Sequence, residues 1–300
     1  MHILLTGGTG LIGSQLCQLW LAQGHRLTVW SRRPAQVAAL LGKEVRGIAR
    51  LEELGEEPLD AIVNLAGAPI ADRPWTSVRR ALLWSSRISL TEQLLVWLEK
   101  RSQRPPVLIS GSAVGWYGDG GERELDENSQ PVKEDFASQL CIAWEETAQR
   151  GAALGMRVVL IRTGLVLSAQ GGFLKRLVLP FKLGLGGPIG NGRQWMSWIH
   201  IEDQIALIDF LLHREDAQGP YNACSPEPVR NRDFARCLGK ALHRPAAVPL
   251  PGLVLRAVLG ELSGLLLAGQ RVRPARLQAA GFKFRFTELP AALTDVVSRL

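Results

Sequence analysis

Short apolar runs alternate with longer amphipathic stretches through the first half of the chain. The runs are typical of buried parallel strands and lie at residues 3–5, 26–30, 60–67, 107–110 and 157–161. Leucines recur at helical spacing at residues 78–101, and further helical stretches lie at residues 35–41 and 136–150. Strands that alternate with helices predict an α/β fold with a doubly wound parallel sheet.

The regular alternation ends near residue 171. A glycine-rich loop follows at residues 184–192, and prolines cluster just before residue 252. We therefore predict a first domain over residues 1–170, to which later segments return, and a smaller mixed α/β lobe over residues 171–300. Within that lobe, residues 249–297 are predicted to form a small basic C-terminal domain.

Three glycines follow the first apolar run at the spacing G-x-x-G-x-x-G. Gly7, Gly10 and Gly13 stand between a predicted strand and an amphipathic helix that ends at Gly24. This order lets the backbone approach a pyrophosphate, whose charge is stabilised by the free N–H groups of the helix N-terminus. The alternative is an ordinary strand-to-helix turn. Because both flanking elements agree, we predict a Rossmann-type dinucleotide site.

The end of the second predicted strand indicates which dinucleotide binds. An NAD site places Asp or Glu near this point to accept from the ribose 2′-hydroxyl, but residues 1–43 contain no acidic residue. Arg32 and Arg33 stand there instead, and guanidinium groups suit phosphate oxygens. The alternative is a solvated basic turn. The missing acid favours a site for NADP(H), with both arginines on the 2′-phosphate.

Composition excludes several other classes of protein. Hydrophobic residues make up 46% of the 300, but no apolar run reaches the roughly 18 residues that a membrane span needs. The first residues lack the pattern of a signal peptide, and four scattered cysteines without a C-x-x-C motif indicate a reducing, cytoplasmic setting. The five histidines show no metal-ligand spacing, so we expect no metal site. Because no apolar run is long enough to span a bilayer, we also expect no membrane partner.

The net charge of +7 is concentrated at the C-terminal end, where residues 240–300 hold nine Lys or Arg against three Asp or Glu. No nucleic-acid motif accompanies this charge, so we expect no nucleic-acid partner. One hypothesis is that Arg271, Arg273 and Arg276 attract an anionic small-molecule substrate. The alternative is that they lie on the surface or pair with the acidic loop at residues 119–135.

Several motifs resemble the extended short-chain dehydrogenase/reductases. They lie at residues 6–13, 64–67, 110–113 and 198–203, and the tail from Gly269 resembles that of the YfcH-like epimerase-family proteins. The resemblance implies that Gly7, Gly10, Leu11, Ile12 and Gly13 hold the pyrophosphate, that Arg32 and Arg33 hold the 2′-phosphate, that Leu65, Ala66 and Gly67 line the path from adenosine to ribose, and that Arg87 approaches the phosphates.

The catalytic pattern departs from that superfamily, whose enzymes use a Tyr-x-x-x-Lys pair to transfer a proton beside the hydride. By spacing from Ser112, the pair falls at Phe136 and Leu140, which cannot transfer protons. Ser112 matches the family hydroxyl that contacts a substrate oxygen, and Tyr117 is a second candidate. The alternative for both is a local structural role. His200 resembles a family histidine, and Trp195 and Trp198 are candidates for stacking on a ligand; the alternative for these three residues is likewise local packing.

Two interpretations of function follow. The first is an NADP(H)-dependent oxidoreductase or epimerase-like enzyme that acts on an anionic, sugar-nucleotide-like small molecule with an unusual proton donor. The second is a catalytically silent NADPH-binding protein that senses or regulates. The retained Ser112 favours the first, whereas Phe136 and Leu140 favour the second. The sequence leaves the oligomeric state open.

Overall fold

The computed structural model describes residues 1–132 and 135–300 of the chain. Its strands are β1 (His2–Thr6), β2 (Arg26–Trp30), β3 (Arg46–Ile48), β4 (Ala61–Asn64), β5 (Val107–Ala113), β6 (Glu124–Leu125), β7 (Arg157–Thr163), β8 (Leu165–Leu167), β9 (Trp195–Met196), β10 (Trp198–His200), β11 (Gly219–Ala223), β12 (Val229–Arg230) and β13 (Arg271–Val272). Its helices are α1 (Leu11–Ala22), α2 (Val37–Leu41), α3 (Ser77–Ser85), α4 (Ile88–Glu99), α5 (Phe136–Gln149), α6 (Gly172–Lys182), α7 (Ile201–His213), α8 (Asn231–Ala241), α9 (Gly252–Leu259), α10 (Gly264–Leu267), α11 (Ala275–Ala279) and α12 (Leu289–Ser298).

Seven parallel strands form the central sheet in the order β3-β2-β1-β4-β5-β7-β11. This arrangement confirms the predicted doubly wound, Rossmann-type α/β fold. The order in which strands are added to the sheet reverses between β1 and β4: β2 and β3 extend it on one side of β1, and the later strands extend it on the other. The loops at the carboxyl ends of β1 and β4 therefore lead in opposite directions. Such a reversal opens a crevice at the carboxyl ends of the strands, which is where ligands bind in open α/β sheets.

Helices cover both faces of the sheet, which explains why its strands are continuously apolar. Ile3 and Leu5 point into a core formed with α1 and α7, whereas Leu4 points into a second core formed with α4 and β5. Successive residues of a strand face opposite sides. Burial on both faces therefore selects large aliphatic residues at the three central positions of β1, and all five residues of the strand are buried.

The predicted helix at residues 78–101 is two helices, α3 and α4, separated at Ser86 and Arg87. The backbone N–H of Ala68 donates to the Ser86 hydroxyl oxygen at 3.0 Å, and Arg87, which lies in the turn between the helices, is the N-cap of α4. The break is thus stabilised by contact with the loop after β4. Its leucine pattern continues across the break, which is why periodicity did not reveal it.

The second lobe has its own core, in which α6, α8 and α12 pack around Trp198 and Phe234. Segments beyond residue 170 also return to the first lobe, because β11 completes the central sheet and α7 packs on α1. The pairing of β13 with β6 joins the basic tail to the loop after β5. The division at residue 170 remains a prediction. Within the described residues, no helix has both the length and the apolar character required to cross a bilayer.

Candidate functional site

The glycine turn after β1 is so tight that two of its glycines admit no side chain. Gly7 has a φ of +70°, and a Cβ there would lie 2.7 Å from the carbonyl carbon and oxygen of Leu65. A Cβ on Gly13 would lie 2.8 Å from Gly8 Cα and would overlap the carbonyl oxygen of Gly7. The amide of Gly10 closes the turn by donating to that same oxygen at 2.9 Å. The turn therefore leaves a bare backbone surface beneath the crevice.

The N-terminus of α1 faces this turn without a side-chain cap, because its N-cap is Gly10. The first intrahelical bond runs from the amide of Ser14 to the carbonyl of Gly10 at 2.9 Å. The amides of Leu11, Ile12 and Gly13 therefore have no carbonyl to bind within the helix. A bare turn and free N–H groups fit a pyrophosphate, and these are the residues predicted to hold it.

A buried polar cluster that the motifs did not reveal fixes the loop after β4. Thr6 Oγ1 donates to Asn64 Oδ1 at 2.6 Å and accepts from the amide of Ala66 at 3.0 Å. Asn64 Nδ2 donates to Thr91 Oγ1 at 2.9 Å and to Ser110 Oγ at 3.3 Å. Because β1, β4, β5 and α4 are joined in this way, Leu65, Ala66 and Gly67 are held along one wall of the crevice.

Arg87 lies against that wall, and its guanidinium occupies the space that a side chain on Gly67 would need. A Cβ on Gly67 would be 2.8 Å from Arg87 Cζ. The guanidinium donates to the carbonyl oxygens of Ala68 at 3.0 Å and Leu83 at 3.3 Å, and lies 5.3 Å from the ring centroid of Trp144. Burial lowers its pKa, but the group stays charged. Arg87 therefore brings one positive charge to the predicted phosphate path.

Arg32 and Arg33 follow β2 and are exposed. Thr6, the last residue of β1, pairs with Trp30 of β2, so the two arginines and the glycine turn leave the same edge of the sheet. The amide of Arg33 donates to Ser31 Oγ at 3.1 Å, which tightens the turn. Neither guanidinium forms an ion pair with any residue of 1–132 or 135–300. Both are thus available to a phosphate.

The positions of the missing Tyr and Lys lie on the first turns of α5 and carry packing residues. Phe136 meets Trp75 edge to face at a centroid distance of 5.0 Å, and Arg80 Cζ lies 4.9 Å from its ring. Leu140 is buried in the same cluster. Asp135 caps the helix by accepting from the amide of Ser138 at 2.9 Å. Neither Phe136 nor Leu140 can donate or accept a proton.

Ser112, at the end of β5, belongs to a buried charged network. Its hydroxyl donates to Glu145 Oε1 at 2.6 Å. Arg162 Nε donates to the same oxygen at 2.9 Å, and Arg162 Nη2 donates to Glu145 Oε2 at 2.8 Å. Burial lowers the pKa of Arg162, but the hydrogen bonds and charge of Glu145 outweigh it and raise the pKa overall. The proton of Ser112 is committed to Glu145, so its oxygen can serve a ligand only as an acceptor.

Tyr117 joins the same network from the turn that follows β5. Its hydroxyl accepts from Arg162 Nη1 at 3.0 Å and lies 2.8 Å from the Asp126 carbonyl oxygen and from Asn222 Oδ1. The side chain is fully buried, and burial raises its pKa to about 12. A neutral phenol with every hydrogen-bonding site engaged favours the structural alternative for Tyr117.

His200 caps α7 and ties it to the C-terminal helix. Its Nδ1 accepts from the amide of Glu202 at 3.2 Å, and its Nε2 lies 3.1 Å from Asp295 Oδ2. These three side chains are close enough together to hold a metal ion. However, both ring nitrogens are engaged, and Arg299 donates to Glu202 at 2.6 Å and to Asp295 at 2.8 Å. His200 therefore connects α7 with α12 through these two contacts.

The contacts of the basic tail favour the second of its two alternatives. Arg271 and Arg273 form ion pairs with Glu124 at 3.3 and 3.4 Å, and Arg276 donates to the carbonyls of Pro220 and Gln218, each at 2.7 Å. Each guanidinium of the cluster has a partner within the protein, which favours the structural alternative, and the anionic-ligand hypothesis stays a prediction. Of the acidic loop at residues 119–135, positions 133 and 134 lie outside the described residues.

Trp195 and Trp198 both pack against neighbouring segments of the protein. Two guanidinium groups contact the ring of Trp195, with Arg230 Cζ 3.9 Å and Arg271 Cζ 4.9 Å from its centroid. Trp198 is fully buried, and its indole N–H donates to the carbonyl of Glu227 at 3.0 Å. Both side chains therefore connect the β9 to β10 corner with the segments around it.

Two family models match this chain. The NAD dependent epimerase/dehydratase family matches residues 3–224, and a domain of unknown function, DUF1731, matches residues 250–296. The chain is 36% identical over 302 residues to Epimerase family protein YfhF of Bacillus subtilis (strain 168), covering 99% of this chain and 98% of the relative.

Solved structures extend the comparison over the whole chain. Human epimerase family protein SDR39U1 (isoform2), crystallised with NADPH, has a TM-score of 0.89 at 36% identity and covers 100% of both chains. A nucleoside-diphosphate sugar epimerase from Corynebacterium glutamicum has a TM-score of 0.78 at 29% identity, covering 100% of this chain and 58% of that one. The resemblance inferred from the motifs is thereby confirmed, and the chain belongs to the NAD dependent epimerase/dehydratase family.

Proposed function

We propose that this protein binds NADP(H) in the crevice above β1 and β4. The observation that carries the proposal is the pair Arg32 and Arg33, which form no ion pair within the described residues and lie beside a glycine turn that no side chain fills. The free first-turn amides of α1 would hold the pyrophosphate, and the two arginines would hold the 2′-phosphate. The crystal structure of the human relative with NADPH supports this assignment.

We further propose that the bound cofactor serves hydride transfer to or from an anionic, sugar-nucleotide-like small molecule in a reducing, cytoplasmic compartment. NADP(H) supplies the hydride. Because Ser112 donates its own proton to Glu145, its oxygen would accept from a substrate hydroxyl rather than donate to a carbonyl. The four cysteines are free thiols, which supports a reducing compartment.

A titration of NADPH and NADH, followed by nicotinamide fluorescence, tests the cofactor assignment. We expect NADPH to bind at least about tenfold more tightly, because hydrogen bonds to a charged group contribute about 1.5–3 kcal/mol each. Equal affinity for the two cofactors would overturn the assignment to NADP(H). Failure of both to bind would overturn the site itself.

A second candidate function is a catalytically silent NADPH-binding sensor, and one observation favours it specifically. Phe136 and Leu140 are packed in an apolar cluster where proton transfer would take place. Nicotinamide absorbance against a panel of nucleotide sugars separates the two candidates. Turnover that Ser112→Ala lowers supports the enzyme. Tight NADPH binding without turnover on any member of the panel supports the sensor.

A further inference from the structure

One part of the second lobe exposes many aliphatic side chains to solvent. Eight of the fifteen large apolar side chains that are exposed in the described residues lie in two of its segments, so they are not scattered singly. We call them the aliphatic surface; they are Leu179, Leu183, Leu185, Val248, Leu250, Leu253, Val254 and Val258, with exposed fractions of 42–79%.

Backbone hydrogen bonds hold these two segments side by side. The amide of Val248 donates to the carbonyl of Gly186 at 3.1 Å, and the amide of Leu250 donates to that of Pro188 at 2.9 Å. Arg244 Nε donates to the carbonyl of Lys182 at 3.0 Å. Val248 and Leu250 are two residues apart in extended chain, so their side chains point to the same side. The end of α6, the extended segment and the start of α9 are therefore neighbours.

Helix α9 is the part of the aliphatic surface that most needs a partner. Its sequence, Gly-Leu-Val-Leu-Arg-Ala-Val-Leu, is apolar around most of its circumference, yet Leu255 is its only buried side chain. Helices of this kind are normally buried in a core or in lipid. Leu253 is 79% exposed and Val258 is 67% exposed. Leaving them in water is unfavourable unless another apolar surface covers them.

The charged residues within the two segments that carry the aliphatic surface are all basic, whereas Asp72 pairs with Arg176 and Glu261 follows α9. Residues 171–193 and 240–260 contain seven Lys or Arg and no Asp or Glu. Lys175, Lys182 and Arg256 are exposed and form no ion pair within the described part of the chain. Two copies meeting through this surface would bring like charges together, which disfavours self-association. An anionic partner is complementary.

The composition of the surface distinguishes lipid from protein. Every member is Leu or Val, whereas the side chains that dominate protein interfaces are Trp, Tyr and Arg packed in desolvated pockets. We propose that the aliphatic surface docks on an anionic phospholipid bilayer, with α9 lying in the interfacial plane and the surrounding Lys and Arg near the headgroups. This proposal departs from the expectation of no membrane partner, which was based on the lack of an apolar run long enough to span a bilayer.

Co-sedimentation of the full chain with phospholipid vesicles tests the proposal. We expect binding to phosphatidylcholine vesicles that contain phosphatidylglycerol, little binding without phosphatidylglycerol, and release at high salt. Replacing Lys175, Lys182 and Arg256 together by Gln should weaken partitioning by about 100-fold. Replacing Leu253, Val254 and Val258 together by Ser should weaken it at least about tenfold.

A control substitution and two checks of folding accompany these variants. Leu40→Ser removes a side chain that is 61% exposed on α2 of the first lobe, and it should leave vesicle binding unchanged. Circular dichroism and NADPH affinity check that each variant folds, and the Gln variant decides the matter if the Ser variant does not. Wild-type protein that ignores anionic vesicles, or equal binding by wild type and the Gln variant, would overturn the proposal. So would light scattering that shows a dimer dissociated by the Ser substitutions, without vesicle binding.

Discussion

The carboxylate of Glu145 grips the guanidinium of Arg162 through two hydrogen bonds of 2.9 and 2.8 Å, and both side chains are almost fully buried. The same carboxylate accepts from Ser112, and the same guanidinium donates to Tyr117. The two candidate catalytic hydroxyls are thus connected through one ion pair on β7 and α5. That pair therefore fixes the positions of both hydroxyls.

Glu145→Gln should destabilise the protein, because Arg162 would keep its charge in a buried site without a counter-charge. Removing one partner of a buried ion pair costs about 3–5 kcal/mol in the free energy of unfolding. The neighbouring exposed Glu146 provides the control, since Glu146→Gln should change that free energy by less than about 0.5 kcal/mol. Urea denaturation measures both. A loss below about 1 kcal/mol for Glu145→Gln would show that the pair is not a structural requirement.

Gly13→Ala should impair both folding and NADPH binding, because its Cβ would overlap the backbone of the glycine turn. Backbone must move to relieve this contact, which displaces the free amides of α1. Gly264→Ala is the matched control: it lies in α10, has no atom within 4 Å of its added Cβ, and should be neutral or slightly stabilising. Thermal unfolding and fluorescence titration report the two effects. Normal NADPH affinity in Gly13→Ala would argue against the pyrophosphate site.

The parts of the fold that sequence predicts well are those set by local pattern. β1, the glycine turn and α1 are contiguous, so Gly7, Gly10 and Gly13 identify their own structural context. The break between α3 and α4 depends on the Ser86 hydroxyl, which accepts from the amide of Ala68 in the loop after β4. No pattern within the helix indicates that partner. The helix was therefore predicted as continuous.

The buried hydrogen-bond network around Glu145 also cannot be predicted from the order of residues along the chain. Glu145 and Arg162 are separated by 17 residues on a helix and a strand, and they meet only because α5 packs on β5 and β7. The ion pairs of Arg271 and Arg273 with Glu124 span nearly 150 residues and arise from the pairing of β13 with β6. Charge counts predict an excess, but only the topology determines which charges are paired.

Stability should fall as the pH drops below the ordinary pKa of histidine, partly because of His200. Its pKa is lowered by burial, against the raising effect of Asp295 and neighbouring carboxylates, so the folded state prefers the neutral ring. Protonation would also remove the Nδ1 acceptor that caps α7. The contribution of His200 is thus complete above about pH 6.5 and is lost progressively as the pH falls toward the lowered folded-state pKa.

His200→Asn tests this dependence, since Asn can cap a helix but does not titrate. Melting temperatures from pH 7.5 to pH 5 should decline less steeply in the variant than in the wild type, even if the variant is less stable at pH 7.5. His243→Asn, which replaces an exposed histidine in the turn after α8, is the matched control and should leave the slope unchanged. Parallel slopes for wild type and His200→Asn would contradict the assignment of this pH dependence to His200.

The central claim is that Arg32 and Arg33 select NADP(H) at the glycine turn. The most direct test is the ratio of NADH to NADPH dissociation constants, measured by isothermal titration calorimetry in the wild type and in the Arg32→Ala, Arg33→Ala double variant. A matched control, Arg236→Ala, removes an exposed arginine of α8 in the second lobe. We predict that the ratio falls by about tenfold or more in the double variant, through weaker NADPH binding with little change for NADH. An unchanged ratio, or an equal loss of affinity for both cofactors, would contradict the claim.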